Sequence, residues 1–154
     1  MKNSLQSKKD YPAGTFVPLW ELAPELAEKE TRKVCLLQDT FSLPKGIYFL
    51  MESYCSDKDC DCRKVMINVV FAETSKILGT IGFGWESEKF YTKWMGDEEL
   101  GRQMAGVYEE VGNIKNILSD YGGKCLKLVK NSLNDPYYVN LIKRHYKSFK
   151  ESIA

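Results

Sequence analysis

Apolar positions along the chain change period once, and that change predicts the architecture. From Lys33 to Trp85 they run in short, β-branched and aromatic stretches. Lys33 to Leu37 reads as a short strand, and Leu43-Pro44-Lys45-Gly46 is turn chemistry. Three strands follow, Gly46 to Tyr54, Lys64 to Phe71 and Ile77 to Trp85. Connections of about 9 and 5 residues are too short for crossover helices and predict an antiparallel meander. Before them, Pro24 to Thr31 suits a short helix with proline in its first turn and Leu22, Leu26 and Ala27 as its apolar face. After Trp85 the period becomes helical. Ser87 caps a helix with Phe90, Tyr91, Trp94 and Met95 on one side, stopped at Gly96. Asp97 caps a second, with Leu100, Met104, Val107 and Val111 as its stripe. Asn113 opens a third, with Ile114, Ile117, Leu118 and Tyr121 in phase and Gly122-Gly123 as its end. Lys124 to Leu133 reads as helix. Asp135-Pro136 starts a last one to about Ser152, whose apolar face is Tyr138, Leu141, Ile142, His145 and Phe149. The class is α+β, an antiparallel β-meander covered by C-terminal helices. Residues 1–15 carry no such pattern and are expected to form a flexible tail before a single domain over 16–154.

Composition narrows the class without changing it. The chain has 154 residues, 44% hydrophobic and 28% charged, enough to bury one core and too apolar for a disordered chain. The longest apolar run, Val65 to Ala72 broken by Asn68, is far short of the roughly 20 residues that span a bilayer. The first ten residues are polar and carry no secretory signal pattern, so a cytoplasmic protein without a membrane segment is expected. Lys and Arg number 22 against 21 Asp and Glu. The two parts differ, with 14 basic against 18 acidic residues up to Gly112 and 8 against 3 from Asn113 onward. A basic face on the last helices is usually a solvated one, so nucleic acid is not the expected partner.

Cysteine placement carries the chemistry. Five cysteines, an odd number without a secretion signal, argue for reduced thiols. Cys55, Cys60 and Cys62 crowd into the connection between two predicted strands with C-x4-C-x-C spacing. Thiolates select zinc, copper(I) or iron–sulfur, and adjacent thiols in a polar loop have little packing reason to be there. A structural zinc site takes four ligands, so one more is needed. His145, the one histidine of the chain, ranks first because it lies on the face of the last helix that must meet the sheet. Cys125, Cys35, Asp61 and water are the alternatives. Asp57, Asp59 and Asp61 alternate through the loop, but Cys62 and Asn68 stand where a calcium loop needs glycine and a bidentate glutamate. They are expected to be solvated, with Arg63 pairing one of them.

The run Tyr54-Cys55 to Cys60-Asp61-Cys62-Arg63-Lys64-Val65, then Gly84-Trp85-Glu86-Ser87 with Phe90-Tyr91, then Lys143-Arg144-His145-Tyr146 resembles a group of small uncharacterised bacterial proteins with a Y-C-x4-C-D-C-R cluster and a C-terminal R-H-Y helix. The likeness covers about residues 20 to 150. It implies a shared fold and a Cys3His metal site, and it favours His145 over Cys125; it supplies no reaction.

Gly79-Thr80-Ile81-Gly82-Phe83-Gly84 lacks the Lys-Ser or Lys-Thr of a phosphate loop, and glycines permitting a bulge or close packing are the better account. No nucleophile elbow or carboxylate dyad is present. The aromatic groups Trp85, Phe90, Tyr91, Trp94 and Tyr137, Tyr138, Tyr146, Phe149 are mostly core, with an exposed subset available to a partner. The expected function is a small zinc-binding protein with a structural site, acting as a protein-interaction module. A metal enzyme with an open zinc position and a thiol redox or metal sensor are the rivals.

Overall fold

In the computed structural model of the chain, residues 14–109 and 121–154 are described. Residues 1–13 of the expected tail and 113–120 of the helix expected from Asn113 lie outside the described residues. In chain order the elements are β1 (Phe16–Pro18), α1 (Leu19–Leu22), α2 (Pro24–Glu30), β2 (Arg32–Leu36), β3 (Gly46–Cys55), β4 (Lys64–Phe71), β5 (Lys76–Gly84), α3 (Glu88–Met95), α4 (Glu98–Met104), β6 (Gly106–Glu109), α5 (Gly122–Ser132) and α6 (Pro136–Ile153). All strand pairings are antiparallel. The central order is β1-β3-β4-β5-β6, and β2 shares the free edge of β3 with β1. β1 takes the Ser53–Cys55 end and β2 the Gly46–Leu50 end. This is the α+β architecture expected from the apolar pattern, with the C-terminal helices against the sheet.

Alternation along each strand chooses the packed face. On β3 Tyr48, Leu50 and Tyr54 point inward, joined by Val65, Ile67 and Val69 of β4 and Ile81 of β5, all fully buried. Against them α5 and α6 set Cys125, Leu128, Val129, Tyr138, Ile142 and Phe149. At about 25 cal/mol per Å² of apolar surface, each such side chain contributes roughly 1.5–3 kcal/mol. No described helix is long and apolar enough to cross a membrane.

Caps behave as their residues dictate. Ser87 Oγ accepts from the Phe90 N–H at 3.1 Å, Asp97 Oδ1 from Leu100 at 2.9 Å and Asp135 Oδ1 from Tyr137 at 3.0 Å. One expectation is corrected. The helix after Asp97 does not continue through Val107, because Gly106 takes a left-handed φ of +78° and turns the chain into β6, where Val107 pairs with Phe83. Gly122-Gly123 open α5, and the helix that they were expected to close lies outside the described residues. The glycines of β5 serve close packing and a bulge. Register slips at Val69/Val70 opposite Gly79 and Ile77. A Cβ on Gly84 would lie 2.2 Å from the Met104 main-chain oxygen and 2.8 Å from the Tyr91 hydroxyl. Gly84→Ala is therefore expected to cost about 1–3 kcal/mol through backbone displacement, read as a lower urea midpoint in equilibrium unfolding. An unchanged midpoint would refute the close-packing account.

Candidate functional site

The three thiols lie where β3 ends and β4 begins. Cys55 closes β3 and is buried, Cys62 is buried two residues before β4, and Cys60 is half-buried between them. Cys60 is hydrogen-bonded to both Cys55 and Cys62. Each sulfur also accepts a main-chain N–H from the residue two positions on: Asp57 to Cys55, Cys62 to Cys60 and Lys64 to Cys62. Burial pushes all three thiols above their ordinary pKa, and these N–H donors oppose it. As placed, the sulfurs form a hydrogen-bonded chain. No group of three or more His, Cys, Asp or Glu side chains among the described residues converges as metal ligands would.

The loop between the thiols is held from three sides. Lys150 of α6 donates to the main-chain oxygens of Cys55 and Asp57, at 2.9 and 2.8 Å. Tyr146, one turn earlier, donates to Asp61 Oδ1 at 3.0 Å and accepts from the Arg63 N–H at 3.3 Å. Arg63 takes a left-handed φ of +50°, a strained state for a residue with a Cβ. Its carbonyl accepts from the Tyr91 hydroxyl at 2.7 Å and from the Trp85 N–H at 3.3 Å. Its guanidinium pairs with Asp61 at 2.9 Å and Glu86 at 3.3 Å and lies 4.7 Å from the Phe90 ring centre. Hydrogen bonding from Arg63 holds the Asp61 carboxyl below the usual range. The loop carboxylate that Arg63 was expected to pair is thus Asp61.

The expected fourth ligands are engaged elsewhere. His145 is 1% exposed on α6, as its place on the apolar stripe requires, but its Nδ1 lies 2.7 Å from Glu52 Oε1 and its Nε2 3.3 Å from Glu30 Oε1. Both ring nitrogens face carboxylates instead of the thiols. Cys35 pairs in register with Ile47, eight residues before Cys55, which is about 26 Å along β3. Cys125 lies in the core beside Tyr48, whose phenol burial and this neighbour push up to about 12, so it too is at the far end of β3. Asp61 is held by Arg63 and Tyr146. Of the alternatives, water remains.

Glu52 is a buried charged residue that the apolar pattern did not single out. It is 3% exposed on the inward face of β3, and its carboxylate also accepts a hydrogen bond from the Tyr54 hydroxyl. The signal was present: Glu52 is in strand phase with Tyr48, Leu50 and Tyr54. Glu52 Oε2 and the Tyr138 hydroxyl have no hydrogen-bond partner among the described residues. Burial lowers the proton affinity of His145, but hydrogen bonds and charge from Glu52 and Glu30 outweigh it, and the net pKa is raised above the ordinary 6.5. The chain matches no protein family, no curated protein and no solved structure.

Because folding raises the affinity of His145 for its proton, its contribution to stability is complete below about pH 6.5 and is lost as pH rises through the folded value. With one histidine in the chain, its ring proton resonance titrates unambiguously by NMR. The expected midpoint lies above 6.5 and falls in Glu52→Gln; a midpoint at or below 6.5 would overturn the assignment. His145→Ala strands the 1% exposed Glu52 carboxylate and is expected to cost about 3–5 kcal/mol in urea unfolding.

Proposed function

We propose that the chain is a zinc-binding protein, in which Cys55, Cys60 and Cys62 take one ion through their thiolates and water completes the set. The observation that carries this reading is the gathering of the three thiols at the one connection between β3 and β4, with a main-chain N–H near each that favours its thiolate. Such donors compensate developing negative charge on sulfur, which a neutral thiol hardly needs. Loading requires the sulfurs to close on one centre at about 2.3 Å, exchanging S–H···S contacts for metal–thiolate bonds and releasing protons. The ion would then fix the loop already braced by Lys150 and Tyr146, and the water in its fourth position leaves the site open, as in the metal-enzyme reading. The surface so fixed would serve as a protein-interaction module.

Contact of Cys60 with both neighbouring thiols supports a second reading, reversible oxidation to a disulfide. Elemental mass spectrometry on untagged protein purified without added metal separates the two. About one zinc per chain is expected, lost in Cys62→Ala and retained in His145→Ala. No metal, with all five thiols free to react and the fold intact, would refute the zinc reading and favour the redox one.

A further inference from the structure

Beside the thiol loop lies an open hollow of about 520 Å³, walled by Trp85, Tyr146, Cys60, Lys58, Lys143 and Lys147. We propose that this hollow is a binding site for a nucleoside phosphate, with lysines taking the phosphates and the aromatic wall taking the base. The hollow adjoins the thiol loop at Cys60, but the proposed contacts to the ligand are made by lysines and aromatic rings and do not depend on the zinc reading.

The charge distribution points to an anion. Lys58, Arg63, Lys143, Lys147 and Lys150 line the hollow against two carboxylates, Asp61 and Glu86. Both carboxylates are engaged by Arg63, and Lys150 is engaged by the loop carbonyls. The side chains of Lys58, Lys143 and Lys147 have no hydrogen bond or ion pair among the described residues, and all three are exposed. Lys143 and Lys147 stand one helical turn apart, an i,i+4 pair of like charges that costs stability in an isolated helix. The chain as a whole carries only +1, so this concentration is local. An anion seated among the lysines would offset the repulsion.

The walls narrow the class. Trp85 and Tyr146 meet edge to face, ring centres 5.0 Å apart, and the Tyr146 hydroxyl is tied to Asp61, so the aromatic wall is rigid. A flat ring gains stacking area there at little entropic cost. The volume suits one small ligand and lies within the range of small-molecule sites. Arg63, fixed between two carboxylates and the Phe90 ring, forms a stationary edge.

The test is titration of the full chain with ATP, without divalent metal, followed by calorimetry and tryptophan fluorescence. Zinc content is read on the same sample, so that an absent metal with bound ATP refutes only the zinc reading. ATP is expected to bind with saturation, and inorganic pyrophosphate to compete. K143E/K147E is expected to weaken ATP binding at least about tenfold, with unchanged circular dichroism. K89E/K93E, which reverses the same number of exposed charges on α3, is expected to change it less than about twofold. Trp85→Phe is expected to remove most of the fluorescence response. Three results would overturn the proposal: no saturable binding by about 1 mM ATP, equal losses in the two double variants, or a single-stranded oligonucleotide binding over about tenfold more tightly than ATP, which would assign the hollow to nucleic acid instead.

Discussion

The contact on which the rest of this structure depends is the buried pair of Glu52 and His145. It joins the inward face of β3 to α6 at 2.7 Å with both side chains 1% exposed, and Glu30 at the end of α2 closes it from the other side. A carboxylate in that position is tolerable only when partnered, so the helix cannot rotate or slide without stranding a charge. Once His145 is seated, the residues that follow on α6 have determined places. Tyr146 reaches Arg63 and Asp61, Phe149 packs against Tyr54 with ring centres 5.5 Å apart, and Lys150 holds the loop carbonyls. A residue that looked like a metal ligand therefore acts one step away, setting the helix that braces the thiol loop.

That brace bears on how the loop chemistry works. Burial makes the three thiols reluctant to ionise, whereas the three N–H donors and nearby Lys150 favour the thiolate. A metal would decide the balance by displacing the protons. The strained backbone of Arg63 is over-determined by Tyr146, Tyr91 and Trp85, so the chain leaves the loop in one direction and delivers Cys62 to the start of β4. Gly84 belongs to the same arrangement, since its missing side chain makes room for the Tyr91 hydroxyl that holds Arg63.

Most of the fold was legible because its signals are local. The meander followed from alternation and short connections, and α3 and α6 from Ser87 and Asp135-Pro136. The helix after Asp97 was overextended because Val107 fits a helical stripe and a strand equally well, and the left-handed Gly106 decided for the strand. The burial of His145 was legible from its stripe; its partners were not, since a lone histidine on an apolar face carries no record of what it meets. Glu52 could have been found by treating a charge in phase with Tyr48, Leu50 and Tyr54 as a demand for a buried partner.

By itself the sequence determined the fold class, the strands of the meander, the capped helices, the crowding of three thiols into one loop and the basic character of the last helix, because each depends on residues close together in the chain. Only the tertiary structure decided that His145 answers Glu52 and Glu30, that Cys35 and Cys125 lie at the far end of β3, and that three lysines gather beside Trp85. Those outcomes depend on register and on the rotation of α6 against the sheet, which spacing along the chain does not encode.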